Sequence, residues 1–364
     1  MSGLIETSDG RPADLSPRSR QAVVSFVLLV LVGAVLALLP VPFVALSPGP
    51  TFNTIGAYDK TPLITITQTT TYRATGHLDL VTIRETGGPE GGLDVFTALR
   101  AWFDPNIDIV PRSVLYPPRA TAEQVRQENK EMFADSQGEA VAAAMSYLKI
   151  PTTLRVIAGS VSMDGPSAKA INPGDEFLRV NGVRTKTPQE VVTAIRSVSI
   201  GSIVTLTMRS RGKVSTVKVT TKEHPEHPGK SYIGVGVATI AKPPFPIAFT
   251  LDRVGGPSAG MMFALGVVDK LTPGSMTGGV FVAGTGTIAT DGTVGGIGGI
   301  RQKMVGAKRS GARLFLAPKE NCDEVVGNIP DGLAVAAVSD LASAVDAVRT
   351  FARTGSSGTS VCRK

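Results

Sequence analysis

At 364 residues the chain is longer than one typical domain, so two or three folded units are expected and no small stapled scaffold applies. With 42% hydrophobic and 18% charged residues it is neither disordered nor a multi-span membrane protein. The net charge of +7 could suggest nucleic acid, but aromatics are only 5% and no basic stretch is interleaved with stacking rings, which argues against that partner.

Residues 1–21 form a short tail, and residues 22–39 read AVVSFVLLVLVGAVLALL, without a charge. At about 1.5 Å per residue this run covers most of a ~30 Å hydrocarbon core, and the expected transmembrane anchor occupies residues 22–46. A cleaved signal peptide would have a shorter apolar region and a small-residue cleavage site, so an uncleaved anchor is expected. Arg11, Arg18 and Arg20 precede the span and no basic residue lies between Val41 and Tyr58. The positive-inside bias then places the tail in the cytoplasm and the rest outside, in a cell membrane crossed once.

Residues 47–150 begin with a turn-rich exit, followed by expected strands at 62–67, 77–84 and 107–110 and a helix over 121–148. Residues 151–222 form a compact unit. A short apolar strand precedes Pro173-Gly174-Asp175, and Asn181-Gly182 supplies the positive-φ pair of a tight hairpin. Thr187-Pro188-Gln189-Glu190 opens a helix as a capping box with proline at the first position, and two alternating strands close the unit. This order resembles a bacterial PDZ domain. The resemblance implies a peptide-binding groove between a strand and the helix, with Ile150, Leu154, Val156, Val191 and Ile195 as its expected lining. A PDZ-like module that packs internally and binds nothing is the alternative.

From Ser231 glycine becomes dense and charge sparse, and residues 231–350 carry the chemistry. Gly256-Pro257-Ser258-Ala259-Gly260 fits G-x-S-x-G, which raises a nucleophilic serine on a turn before a helix. Gly165-Pro166-Ser167-Ala168 repeats the tetrapeptide, but inside the PDZ-like unit, where a short helix is routine. Ser258 instead opens a helix that is apolar all round and therefore buried. Its free N–H groups suit an oxyanion beside Gly255, Gly256, Pro257, Ala259 and Gly260.

A serine nucleophile needs a base. The only histidines are His77, His224 and His227, and none follows Ser258; the last two sit in the proline-rich loop KEHPEHPGK. Residues 280–289 read as a strand, 300–310 as a helix and 313–317 as a buried strand. Gly284-Thr285-Gly286 falls inside the first strand and no Walker motif exists, so no nucleotide or other cofactor is expected. If Met304 and Ala307 face the core, Lys303 is the lysine best placed beside that face, where burial would lower its pKa. The bland alternative is a snorkelling surface lysine. The two cysteines, Cys322 and Cys362, lie far apart, so neither a disulfide framework nor a zinc site is expected, no metal is expected, and residues 354–364 read as a disordered tail.

The stretches VGGPSAGMMFALGVVDKLTPG, AGTGTIATDGTVGGIGGIRQKMVGAKRSGA and FLAPKENCDEV closely resemble the proteolytic domain of Lon-type serine proteases, in the membrane-anchored, PDZ-containing branch of bacteria. The resemblance implies a Ser–Lys dyad of Ser258 and Lys303, with the Thr285 hydroxyl holding the lysine. GHLDLVTI and DSQGEAVAAAMSYL are similar to an early Lon strand and helix, which would make the PDZ unit an insertion. Gly255 departs from the family, which has aspartate three residues before the serine. The expected fold is α+β: one transmembrane helix, a PDZ-like domain and a Lon-type proteolytic domain. The expected activity is ATP-independent cleavage of extracytoplasmic or membrane-associated protein or peptide substrates. Resemblance to Lon also suggests a homo-oligomeric ring. An idle membrane PDZ scaffold and a Ser–Lys amidase on small cell-wall substrates are the alternatives.

Overall fold

The computed structural model describes residues 17–88, 91–116, 121–225, 227–251, 254–358 and 361–362. Most of the tail expected at 1–21, with Arg11, lies outside them.

Helix α1 (Pro17–Leu38) carries the apolar run. It is long and apolar enough to cross a membrane, and Val23, Phe26 and Leu29 are 49%, 67% and 71% exposed, unlike the core helix of a soluble protein. The expected span to residue 46 is too long at its C-terminal end. Pro40 and Pro42 lack the N–H a helix needs, so the chain leaves α1 at Leu38 and enters strands β1 (Pro40–Val41) and β2 (Phe43–Asn53). Val44, Ala45 and Leu46 are buried in the protein.

Strands β3 (His77–Thr86) and β4 (Leu93–Asp94), helix α2 (Val95–Trp102), strand β5 (Asp108–Pro111) and the single turn α3 (Arg112–Leu115) follow. Helix α4 (Ala122–Tyr147) starts at a capping box of Thr121 and Gln124. The next sheet is built from β6 (Thr153–Val161), β7 (Glu176–Val180), β8 (Ile203–Ser210), β9 (Lys213–Thr220) and β10 (Val235–Lys242), with helix α5 (Pro188–Arg196) packed on it. The hairpin after β7 turns on Asn181 and Gly182, both at positive φ, and Thr187 caps α5. The chain ends with α6 (Gly260–Leu271), β11 (Phe281–Gly284), α7 (Ile300–Arg309), β12 (Leu314–Pro318), α8 (Cys322–Val325), β13 (Ala334–Val338) and α9 (Leu341–Thr354).

Two main sheets result. One has the order β13-β12-β11-β3-β2-β5, in which β3, β11, β12 and β13 are parallel while β2 runs antiparallel to both its neighbours, β3 and β5. It therefore mixes early strands with late ones: β3 and β11 pair directly although some 200 residues separate them. The other, antiparallel, has the order β9-β8-β7-β6-β10. The chain thus leaves the first sheet after β5, builds the second, and returns.

Helix α6 is the spine of the first unit. Met261, Phe263, Leu265, Val267 and Val268 are fully buried, each worth about 1.5–3 kcal/mol of burial, and Phe263 meets Phe133 of α4 and Phe249 edge-on. A side chain at Gly266 would collide with Thr54 and Ile64.

Two expectations about the C-terminus are corrected. Cys322 and Cys362 form a disulfide, with Cα atoms 5.0 Å apart, which holds the chain at residue 362. After α9 the chain reverses beside it, Gly358 passing Thr350, and Cys362 packs on the cluster of Ala283, Met304 and Phe315. A separation of 40 residues hides this proximity in the sequence. Closing a loop of that length removes about 3–4 kcal/mol of chain entropy from the unfolded state.

Candidate active site

The nucleophile loop, residues 254–259, meets the first turn of α6. Gly256 adopts φ +80°, a conformation that favours glycine, and donates its N–H to the Asn129 carbonyl at 3.0 Å. The space where its side chain would stand is open, whereas a side chain at Gly255 would meet Asn129 and one at Gly260 would meet Ile288. One flank of the loop faces solvent while the other is sealed against the core. The Gly260 N–H is taken by the Pro257 carbonyl at 3.3 Å. Among the described residues the Ala259 N–H has no protein acceptor, and it lies at the positive end of a buried helix.

Helix α7 brings the base side. It starts at Gly299, φ +70°, and buries Ile300, Met304 and Ala307 against β11 and β12. The same face carries Lys303, only 3% exposed. Its Nζ lies 2.8 Å from Ser258 Oγ and 3.0 Å from Thr285 Oγ1. Loss of water around the ammonium pulls the Lys303 pKa down to about 7. The other basic residues of α7 turn elsewhere: Arg301 pairs with Asp108 at 3.1 Å and Lys308 donates to the Gly332 carbonyl.

Thr285 completes the triangle. Its hydroxyl donates to the Ser258 carbonyl at 2.9 Å, so its oxygen is left to accept from Lys303. The continuous strand expected over 280–289 is broken at this point. The Thr285 N–H still reaches the Leu316 carbonyl of β12 at 3.2 Å, but the Gly286 N–H turns to the Ser258 carbonyl, at 2.9 Å, and the ladder ends there. Ser258, Thr285 and Lys303 thus come together from three separate segments. Ser167 does not join them. It is fully buried in the second sheet's unit, its N–H bonded to the Ile233 carbonyl. His77 stacks on Phe281, and His224 lies tilted against His227. No group of three or more metal-ligating side chains occurs among the described residues.

Asn129 was not anticipated from the sequence. It lies mid-helix in a polar stretch with no motif of its own, yet it braces Gly255 and holds Gly256. It also lines a cavity of about 410 Å³ with Glu85, Gly88, Tyr116 and Arg126.

The expected groove is misplaced. Its strand, β6, lies inside the sheet, paired along its length by β10 and at Ile157 by β7. Ile150 packs on the core of the other unit, Leu154 is 47% exposed, and Val156, Val191 and Ile195 are buried inside the sheet's own core. The open edge belongs to β10, which runs beside α5, with Val235, Val237, Ala194 and Val198 half-buried there. Helix α4 covers the second half of this strand, Gly138 lying against the Thr239 carbonyl. Composition hides β10, because the rise in glycine after Ser231 separates it from the unit it completes.

Comparison with known proteins finds two matching domains. Residues 253–352, which contain Ser258, Thr285 and Lys303, match the Lon protease (S16) C-terminal proteolytic domain. The chain carries a Lon-type proteolytic domain. Residues 126–221 match the PDZ domain. The Lon protease of Clostridioides difficile is 38% identical over 78 residues, 21% of this chain and 10% of that one. Lon protease 1 of Bacillus subtilis is 36% identical over 100 residues, 28% and 12% respectively. The mitochondrial Lon homologue of Saccharomyces cerevisiae is 40% identical over 81 residues, 21% and 7%. The chain therefore spans about a tenth of the length of these relatives. The crystal structure of the PDZ domain of an SdrC-like protein from Listeria monocytogenes is 24% identical, covering 23% of this chain and 86% of that one, with a TM-score of 0.21.

Proposed function

We propose that the protein is a membrane-anchored serine endopeptidase in which Ser258 is the nucleophile and Lys303 the general base. The observation that carries this reading is the 2.8 Å contact between Ser258 Oγ and a lysine amine whose burial lowers its pKa to about 7. Burial makes the neutral amine available near pH 7. One of its N–H groups is used on Thr285, which points the lone pair at the Ser258 hydroxyl.

Ser258 Oγ attacks the scissile carbonyl as Lys303 Nζ accepts its proton. The oxyanion faces the Ala259 N–H at the start of α6. On collapse the C–N bond breaks, Lys303 returns the proton to the departing amine, and an ester to Ser258 remains. Water, deprotonated by the same lysine, then hydrolyses that ester and regenerates both groups. The cavity beside Asn129 offers room for the substrate segment next to the scissile bond.

No nucleotide-binding motif is present in the sequence, so hydrolysis proceeds without ATP. The detergent-solubilised chain is expected to degrade an unfolded protein such as casein in the absence of nucleotide, and its Ser258→Ala variant to leave it intact. A strict requirement for added ATP would contradict the reading.

Recruitment belongs to the open edge of β10 beside α5, by addition of a substrate strand. Ala194→Trp at that half-buried position is expected to slow cleavage of a protein substrate several-fold and leave a short peptide unaffected, because remote binding energy serves only the larger substrate. Equal slowing of both would make the unit structural.

The proteolytic domain lies outside the cytoplasm, a reading supported by Arg11, Arg18 and Arg20 ahead of the apolar run and by the Cys322–Cys362 disulfide, which persists in oxidising compartments. In intact cells both cysteines are expected to resist alkylation until reduced. Rapid alkylation without reductant would put the domain on the other side of the membrane.

A further inference from the structure

Helix α2 turns its smallest side chains inward and its largest outward. Ala98 and Ala101 pack on Val41, Phe43, Ile107 and Ile109, while Phe96, Leu99 and Phe103, spaced i, i+3, i+7, are 52%, 54% and 77% exposed. Trp102 beside them is 71% exposed, and Val114 of α3 is 70% exposed. None of these residues belongs to the candidate active site or to the edge of β10. A contiguous apolar face of this kind, on a chain whose core is otherwise well covered, marks a surface that meets something apolar.

Its position says what. Pro40, two residues beyond the end of α1, pairs with Asp94, and Asp94 is the N-cap of α2, its carboxylate accepting the Thr97 N–H at 2.9 Å. Pro42 accepts the N–H of Arg112, the first residue of α3, at 3.0 Å. With at most ~3.6 Å of reach per residue and about 5 Å across each pairing, both short helices start within about 20 Å of the end of the apolar helix. Arg100 and Arg112 are exposed at the edges of this face. Tryptophan and phenylalanine on one side of a short helix, with basic residues at its margin, suit the boundary between headgroups and acyl chains.

We propose that α2, with Phe103 and Val114, is a membrane-docking face that lies in the interfacial layer of the bilayer crossed by α1. The proposal rests on the reading of α1 as a span. It gives the ectodomain a second membrane contact and so fixes its tilt, which a single tether cannot do. One ion pair links this region to the candidate site, Asp108 of β5 accepting from Arg301 of α7, two residues from Lys303.

Trp102 is the single tryptophan of the chain, so all indole emission reports on this face. The full-length protein would be reconstituted in phosphatidylcholine–phosphatidylglycerol vesicles carrying a spin label either near the headgroup or at the bilayer centre. The shallow label should remove about half of the emission and the deep label much less, with little quenching by aqueous iodide. Leu99→Glu and Phe103→Asp, both at exposed positions and checked for unchanged circular dichroism, should restore iodide quenching and abolish lipid quenching. Alkaline carbonate extraction of the same vesicles reads the anchor separately. A chain that resists extraction but whose Trp102 is quenched by iodide and not by lipid would overturn the docking face and leave the span standing. Shielding from iodide without lipid quenching would overturn it in favour of a second copy of the chain on this surface. Release by carbonate would remove the span and the proposal together.

Discussion

Lys303→Arg is expected to abolish turnover, with kcat/KM falling about 10³-fold or more while the protein stays folded. Guanidinium keeps its proton at any accessible pH and cannot accept one from Ser258. Lys303→Ala and Ser258→Ala should each cost as much, and the double variant little more, because two residues that act in one step are strongly non-additive. Thr285→Val should be milder. It removes the acceptor that orients Nζ but leaves the amine beside Ser258, so turnover should fall, and the pH dependence should shift slightly downward because losing an acceptor disfavours the ammonium form further. Near wild-type turnover in Lys303→Arg, measured on a peptide in detergent, would exclude lysine as the base.

The second large effect is on pH. Burial brings the Lys303 pKa to about 7, so kcat/KM should rise about tenfold per unit below that value and level off above it. An unburied lysine would place the same rise near 10.5. Stability responds to the same burial. The folded-state pKa lies below the unfolded one, so between about 7 and 10.5 the unfolded chain binds more protons and stability rises with pH. The stability is complete above the unfolded pKa and is lost as pH falls toward the folded one. Lys303→Met should therefore be more stable than the natural chain at pH 7, by a few kcal/mol, with the gap closing toward pH 10. A gap that does not change with pH, in denaturant melts over that range, would mean that the amine is not desolvated as described.

Much of this site is legible in the amino-acid sequence. Ser258 separates from its repeat at Ser167 by the residues on the C-terminal side of each: an apolar helix in one case, a polar turn in the other. Lys303 stands out from the basic residues of its helix by the face that Met304 and Ala307 define. The missed features share one physical cause: they depend on contacts between segments far apart in the chain. The groove strand β10 is separated from its unit by a loop and a change of composition, and only its pairing with β6 shows where it belongs. The disulfide needs α9 to bring residue 362 back to α8. Asn129 acts through a main-chain carbonyl, which no residue type advertises. The end of the span was readable from Pro40 and Pro42, but residues 43–46 are apolar because they enter a buried strand, and hydropathy alone does not separate that core from lipid.

The central claim is that Ser258 is acylated with Lys303 as its base. Incubation with a serine-directed acylating probe at pH 8, followed by peptide mapping by mass spectrometry, addresses it directly. The account predicts one adduct, on Ser258, absent from Lys303→Arg, with Ser167 unmodified. An adduct on any other serine, or undiminished labelling of Ser258 in Lys303→Arg, would contradict it.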